Sequence, residues 1–100
     1  MVFTLGQYTF DSKRLQLTYT GGRAPRKLTT REGELLHLFC QHRNKMLTKS
    51  SILLKVWGDD SFFHSRSMDV FISRLRKYLR DDPSVSLVNL RGVGYKLVTD

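Results

Sequence analysis

The feature that most constrains the fold is a regularly spaced set of apolar residues in the last third of the chain. Its members recur at intervals of four, three and four residues, which is the spacing of one face of an α-helix. The set is Met68, Ile72, Leu75 and Leu79. It predicts a helix over about 65–79, which ends before Asp81-Asp82-Pro83 because proline disfavours helical geometry in the residue before it. We expect one side of this helix to pack against a core and the other to face solvent.

The opposite side of the same helix is basic. It carries Arg66, Val70, Ser73, Arg74 and Lys77, and Asp69 is the only acidic residue between positions 66 and 80. The whole chain of 100 residues has a formal net charge of +8, so its surface attracts polyanions. Nucleic acid is therefore the first partner to consider. The alternative is a basic protein whose helix charges form an ordinary solvated face.

The first 28 residues predict a small antiparallel sheet. Four β-rich runs, at 3–5, 8–11, 14–18 and 26–28, are separated by turn residues that include Gly6, Ser12 and Gly21-Gly22. Between positions 15 and 19, apolar and polar residues alternate, which is the period of a strand with one covered face. We therefore expect short strands here rather than a helix.

Two further helices are predicted between this sheet and the basic helix. Thr29-Thr30-Arg31-Glu32 has the spacing of a capping box, and the apolar stretch 35–39 that follows marks a helix closing at 42–44. Thr48 is placed to cap a second helix, which Gly58 ends. The two short helices are joined by a tight link.

The C-terminal segment predicts a β-hairpin. Runs at 85–90 and 95–98 are joined by Arg91-Gly92-Val93-Gly94, whose glycines suit the positive φ of a hairpin turn. Arg91 at this turn is a long cation that can enter a narrow minor groove, whose negative potential attracts arginine. The chain is thus one α+β domain over residues 1–100, in the order sheet, three helices, hairpin.

Individual side chains on the basic helix suit the readout of double-stranded DNA. An α-helix fits the major groove, where the guanidinium of Arg74 can donate twice to guanine and Val70 can contact a thymine methyl. Serines, lysines and the remaining arginines more often hold phosphates. The expected phosphate contacts are Arg66, Ser73, Arg76 and Lys77.

Other function classes find little support in the sequence. The chain has three scattered histidines and one cysteine, Cys40, with no metal-ligand spacing among them. We therefore expect that the protein is not an enzyme and that it binds no metal and no cofactor. No stretch is apolar enough to span a bilayer and no secretory signal is recognisable, so we expect a cytoplasmic protein with no membrane contact. A domain of this kind that binds protein or RNA stays open as an alternative, because a fold does not fix a function.

Four motifs occur in order and cover nearly the whole chain. They are Leu28-Thr29 with Glu32 and Leu35-Leu36, then Val56-Trp57-Gly58, then the segment 68–77, and then Arg91-Gly92-Val93-Gly94-Tyr95. Together they resemble the effector domain of OmpR/PhoB-type response regulators. The resemblance implies a winged helix-turn-helix with an N-terminal four-stranded antiparallel sheet, a three-helix core and a C-terminal β-hairpin wing. It also implies transcription control through sequence-specific binding of direct-repeat DNA by a head-to-tail pair.

The resemblance also implies residue roles. Arg74 and Val70 match base-contacting positions, Arg91 matches the minor-groove arginine, and Asp69 is expected to pair with Arg91 and orient it. The positions matched to DNA backbone contacts are Trp57, Arg66, Ser73, Arg76, Asn89 and Tyr95. Phe71, also in the contacting segment, replaces a frequent histidine, and Ser73 replaces a frequent basic residue. The DNA sequence preference of relatives is therefore not expected to transfer.

Three further expectations follow from the resemblance. Gly33 stands where relatives usually place an aromatic residue, so the first helix is expected to pack differently there. The loop Asp59–His64 corresponds to a segment that touches RNA polymerase in some relatives, which makes Asp59, Asp60, Phe62 and Phe63 candidate contacts. At least one of the two phenylalanines is nevertheless expected in the core. The family usually joins this domain to a phosphorylatable receiver domain, which is expected as a partner in the full-length protein.

Overall fold

The computed structural model describes all 100 residues, which form two antiparallel sheets and three helices. The first sheet contains four strands in sequential order, β1 (Val2–Leu5), β2 (Tyr8–Asp11), β3 (Gln16–Tyr19) and β4 (Arg26–Lys27). The helices are α1 (Thr30–Gln41), α2 (Lys49–Trp57) and α3 (Phe62–Tyr78). The second sheet contains β5 (Met46–Thr48), β6 (Ser86–Leu90) and β7 (Gly94–Val98), in the order β5-β7-β6. The predicted α+β winged-helix architecture is confirmed.

The N-terminal sheet covers the core with one face. Leu5, Phe10 and Leu17 are buried, and Phe10 lies opposite Leu17 in the register of β2 and β3. The side-chain alternation predicted for this segment is therefore present, with β3 beginning at Gln16 rather than at position 14. Leu15, just before β3, has a φ of 55° and packs against the core from the rim.

The starts of α1 and α2 follow the caps predicted from the sequence. The Thr29 hydroxyl accepts from the Glu32 amide, and the Glu32 carboxylate accepts from the Thr29 amide at 2.9 Å, which completes the capping box. Thr48 caps α2 by accepting from the Ser51 amide at 3.1 Å. Gly58, with a φ of 88°, ends α2 in the left-handed region.

The basic helix begins earlier than the apolar spacing predicted. Ser61 is its N-cap, and the Ser61 hydroxyl accepts from the His64 amide. The His64 ring also lies 2.7 Å from an Asp59 carboxylate oxygen, which ties the preceding residues to the first helical turn. The expectation of a loop through His64 was therefore wrong, since Phe62, Phe63 and His64 already belong to α3.

The C-terminal hairpin is part of a larger sheet than predicted. β5, which the sequence did not predict, pairs with β7 and joins the turn between α1 and α2 to the hairpin. Gly92 has the expected positive φ of 76°, but Gly94 is needed for a different reason. A Cβ on Gly94 would collide with the Leu47 carbonyl, so this glycine permits the close approach of β7 to β5.

One hydrophobic core joins both sheets and all three helices. It contains the whole predicted apolar face of the basic helix, since Met68 and Leu75 are 0% exposed and Ile72 and Leu79 are 1% exposed. Gly33 on α1 is buried, and a Cβ there would collide with the Leu15 side chain, so Leu15 fills the space that a larger residue would take. No helix combines the length and the apolar character that a membrane span requires.

Candidate nucleic-acid interface

The solvent side of α3 forms a cationic surface, which we call the recognition face. It consists of Arg66, Val70, Ser73, Arg74 and Lys77, all of them exposed. Because the opposite side of α3 is buried in the core, this face is held outward by packing rather than by its own contacts. Arg66 and Lys77 form no ion pair, which leaves both charges available to a polyanion.

Arg74 lies at the middle of the recognition face and is positioned from two sides. Its guanidinium stacks over the Phe71 ring at 4.9 Å, and its Nη1 lies 3.9 Å from the Glu32 Oε2. The Arg74 side chain remains 48% exposed, so its other donors face solvent. An arginine held in this way loses less conformational entropy when it binds, which favours a base-reading role.

Glu32, which the sequence identified only as a cap, also contacts residues of α3. Its side chain is 4% exposed, and besides the Thr29 amide it accepts from the Tyr78 hydroxyl at 2.9 Å. Burial, together with the bond to the Glu32 carboxylate, raises the pKa of Tyr78. Glu32 thus joins the start of α1 to the end of α3, directly behind Arg74.

Trp57 and Phe71 form an aromatic support beside the recognition face. Both are half-buried and meet edge to face, with 5.9 Å between ring centroids. Arg31, which the sequence analysis did not single out, stacks over Trp57 at 5.0 Å and donates to the Val56 carbonyl. This stacking of a cation on a half-buried tryptophan was not visible in the sequence because 26 positions separate the two residues.

The wing, which is the hairpin of β6 and β7, presents Asn89 and Arg91 to solvent. Arg91 sits beside the positive-φ Gly92 and forms no ion pair. The expected pairing of Asp69 with Arg91 was wrong, because Asp69 instead accepts from the Tyr95 hydroxyl at 3.0 Å. Burial and this bond raise the pKa of Tyr95, which is 4% exposed.

A second contact between α3 and the wing is made by Arg76. Its Nε donates to the Leu87 carbonyl on β6 at 2.9 Å, and its guanidinium lies 5.9 Å from the Tyr95 ring. Arg76 and Tyr95 together therefore fix the angle between the recognition face and the wing. Both residues were expected at the DNA backbone, and the structure places them at the junction of the two candidate DNA-contacting elements.

The first turn of α3 exposes two large aromatic side chains. Phe62 is 64% exposed and Phe63 is 80% exposed, so the expectation that at least one of them lies in the core was wrong. The rings meet edge to face at 6.2 Å, and the Arg66 guanidinium lies over Phe62 at 5.6 Å. Asp59 and Asp60 just before this turn are also exposed.

Comparison with known proteins identifies relatives of this chain. The chain matches the family model "Transcriptional regulatory protein, C terminal" over residues 23–97. It is 46% identical over 98 residues to the transcriptional regulatory protein RprY of Bacteroides fragilis, which covers 98% of this chain and 41% of that protein. The chain therefore spans less than half the length of this curated relative.

Two solved structures extend the similarity to the fold. The DNA-binding domain of CpxR from Escherichia coli has a TM-score of 0.82 and 25% identity, with 99% of this chain and 97% of that chain covered. The DNA-binding domain of Klebsiella pneumoniae RstA, solved in complex with the RstA box, has a TM-score of 0.78 and 26% identity. There the coverage is 97% of this chain and 96% of that chain.

Proposed function

This chain belongs to the family of C-terminal domains of transcriptional regulatory proteins, the effector domains of OmpR/PhoB-type response regulators, and we propose that it binds double-stranded DNA sequence-specifically to control transcription. The observation that carries the proposal is the two-sided character of α3. Its apolar side is sealed in the core, while the recognition face is open and cationic. A helix of this kind fits the major groove, where each base pair presents a distinct pattern of donors and acceptors.

Within this proposal, base readout is assigned to Arg74 and Val70. Arg74 is pre-positioned by Glu32 and Phe71 and donates in pairs to a guanine, and Val70, 51% exposed, contacts a thymine methyl. Arg91 on the wing enters the adjacent minor groove, where a narrow groove concentrates negative potential. Both grooves are then contacted on one side of the duplex.

Contacts to the DNA backbone are proposed for the residues around these readers. Arg66, Ser73, Lys77 and Asn89 are exposed and suited to phosphates. Trp57, Phe71, Arg76 and Tyr95 are included as supporting residues that border the interface and hold its parts in place. We assign these four a smaller share of the binding energy, because their side chains already contact the protein itself.

Partners beyond DNA are also part of the proposal. The domain binds direct repeats as a head-to-tail pair, acts in the cytoplasm, and is covalently linked to a receiver domain in the full-length regulator. Asp59 and Asp60 are proposed to contact RNA polymerase, since both are exposed beside the start of α3. Phe62 and Phe63, expected at the same contact, are exposed on the first turn of α3.

Selection of bound duplexes from a random pool tests the proposal most directly. We expect an enriched motif that appears twice in the same orientation, with spacing of about one helical turn of DNA between repeats. Affinity for that motif should fall steeply with salt, because phosphate contacts release counterions. A purified domain that binds no duplex even at low salt, or that enriches no motif, would contradict the proposal.

A further inference from the structure

We propose that Phe63 is a further specificity-determining residue, which contacts a thymine methyl group in the major groove beyond the base pairs read by Val70 and Arg74. This inference rests on the proposed DNA-binding function and extends the recognition face by one helical turn. It arises because α3 begins at Phe62, so that both phenylalanines lie on the helix rather than in a preceding loop.

The position of Phe63 on α3 places it in line with the recognition face. Phe63, Val70 and Lys77 are seven residues apart, and seven residues make almost two complete turns of an α-helix. The three side chains therefore project from the same side, opposite the buried Met68 and Leu75. Phe63 is the most exposed of the large apolar residues at 80%, so its ring projects freely toward whatever α3 contacts.

The ring of Phe63 is held from one side only. Phe62 packs against the Phe63 ring edge to face, and the Arg66 guanidinium lies over Phe62. These two neighbours hold the Phe63 ring from one side. No side chain from another element covers the outer face of Phe63, and an exposed aromatic ring of this size is costly in water. Phe62 therefore acts as a support and Phe63 as the contacting ring.

The charges around the pair favour DNA over a protein as the occupant. The exposed neighbours along this side of α3 are Arg66, Arg74 and Lys77, which suit phosphates on the two walls of a groove. The nearby carboxylates are engaged within the protein, since Asp69 accepts from the Tyr95 hydroxyl, Asp59 lies 2.7 Å from the His64 ring, and Asp60 accepts from the Ser50 hydroxyl at 3.2 Å. An apolar ring on the same side of α3 as the unpaired cations Arg66 and Lys77 matches a groove whose walls are anionic and whose floor carries thymine methyl groups.

Helix geometry predicts where the new contact falls. At 1.5 Å per residue, Phe63 lies about 10 Å along the α3 axis from Val70. For a helix that lies along the groove, with base pairs spaced about 3.4 Å apart, this corresponds to about three base pairs. The thymine contacted by Phe63 should therefore lie about three positions outside the one contacted by Val70, on the side away from Arg74.

The test combines a protein change with removal of a single methyl group. The duplex selected by the wild-type domain is remade with each thymine replaced in turn by deoxyuridine, which lacks the C5 methyl. Affinities are measured for the wild-type domain, Phe63→Ala, Phe63→Leu and the control Leu54→Ala. Leu54 on α2 is 54% exposed, so its replacement removes a similarly exposed apolar side chain outside the recognition face. Thermal unfolding of each variant confirms that it is folded.

We expect one deoxyuridine position, beyond that of Val70, to weaken wild-type binding about three- to fourfold, as expected for one buried methyl group. The same replacement should have no effect on Phe63→Ala and a reduced effect on Phe63→Leu, while Leu54→Ala should match the wild type.

If Phe63→Ala binds the selected duplex as well as the wild type, the inference is overturned, although DNA binding by the domain stands. Loss of transcription in vitro with unchanged affinity would assign the ring to polymerase and equally overturn it. A wild-type domain that binds no duplex refutes the proposed function itself.

Discussion

The cations of the N-terminal sheet and those of the recognition face differ in what they already contact. In the first 28 residues, Arg23 pairs with Asp81 at 2.5 Å, Lys27 donates to the Arg14 carbonyl at 2.8 Å, and Arg26 stacks over Tyr78 at 4.2 Å. On the recognition face, Arg66 and Lys77 have no carboxylate partner. A count of charges therefore says less about a polyanion-binding surface than the contacts that each cation already makes.

The largest expected effect comes from removing the central arginine of the recognition face. Arg74→Ala should weaken binding to the selected duplex by about 1 to 3 kcal/mol, roughly 5- to 150-fold, because a paired contact to guanine is lost. Titration of labelled selected and random duplexes measures this loss. Arg26→Ala, which removes a cation of the N-terminal sheet outside the recognition face, is the matched control and should bind nearly as the wild type. An equal loss by Arg74→Ala on selected and random DNA would argue against base reading.

A smaller effect is expected at the junction of α3 and the wing. Tyr95→Phe removes the donor to Asp69 and should lower the free energy of unfolding by about 1 kcal/mol, the usual net contribution of a hydrogen bond. Chemical denaturation measures the change. Tyr19→Phe is the control, because the Tyr19 hydroxyl forms no hydrogen bond within the protein. Equal stabilities of the two variants would mean that the Tyr95 bond does not hold the wing.

A third prediction concerns the salt dependence of DNA binding. Lys77→Ala should reduce the slope of log affinity against log salt concentration by about 1, because one phosphate contact is removed. Arg23→Ala should leave the slope unchanged, since the Arg23 guanidinium already pairs with Asp81. Binding titrations over a range of salt concentrations compare the two. The difference between partnered and unpartnered cations would be lost if Arg23→Ala flattened the slope as much as Lys77→Ala.

The smallest effect is expected on the stability of the fold at acid pH, and it should come from a carboxyl group that contacts the N-terminal sheet. Bonds from the Ser84 hydroxyl and the Gln7 amide lower the pKa of Asp82, which joins the β1–β2 turn to the segment after α3. A carboxyl with a lowered pKa stabilises the folded state above its unfolded pKa of about 3.9, and this contribution is lost as the pH falls through the lower folded value.

The Asp82→Asn variant separates this contribution from that of the other carboxyls. It should be less stable than the wild type near neutral pH, and its stability should fall less steeply below about pH 4. Denaturation at a series of pH values measures both slopes. Identical slopes for the two proteins would show that Asp82 does not link the sheet to α3 in the way described.

Much of the fold was predictable because its signals are local. The caps at Thr29 and Thr48 depend on residues three positions apart, and the buried face of α3 depends on spacings of three and four. The start of α3 was missed because the Ser61 cap carries no apolar period of its own. β5 was missed because three residues are too few to establish an alternation, and its pairing with β7 is a tertiary contact.

The candidate site was predictable in its exposed residues and not in its supports. The period of α3 placed Arg74 and Val70 outward, and both are exposed. The bond from Tyr78 to Glu32 spans 46 residues, so no local pattern could indicate that a helix cap also stands behind Arg74. The contact of Tyr95 with Asp69 was likewise invisible, and the resemblance suggested a different partner for Asp69.

The close packing of Leu15 against Gly33 has an evolutionary consequence. Leu15 occupies the volume that a side chain at position 33 would need, so the two positions act as one unit divided between the sheet and α1. Across homologous domains, the sizes of the residues at these two positions should be inversely correlated, with an aromatic at the second accompanied by a small side chain at the first. Independent variation at the two sites in an alignment would exclude such coevolution.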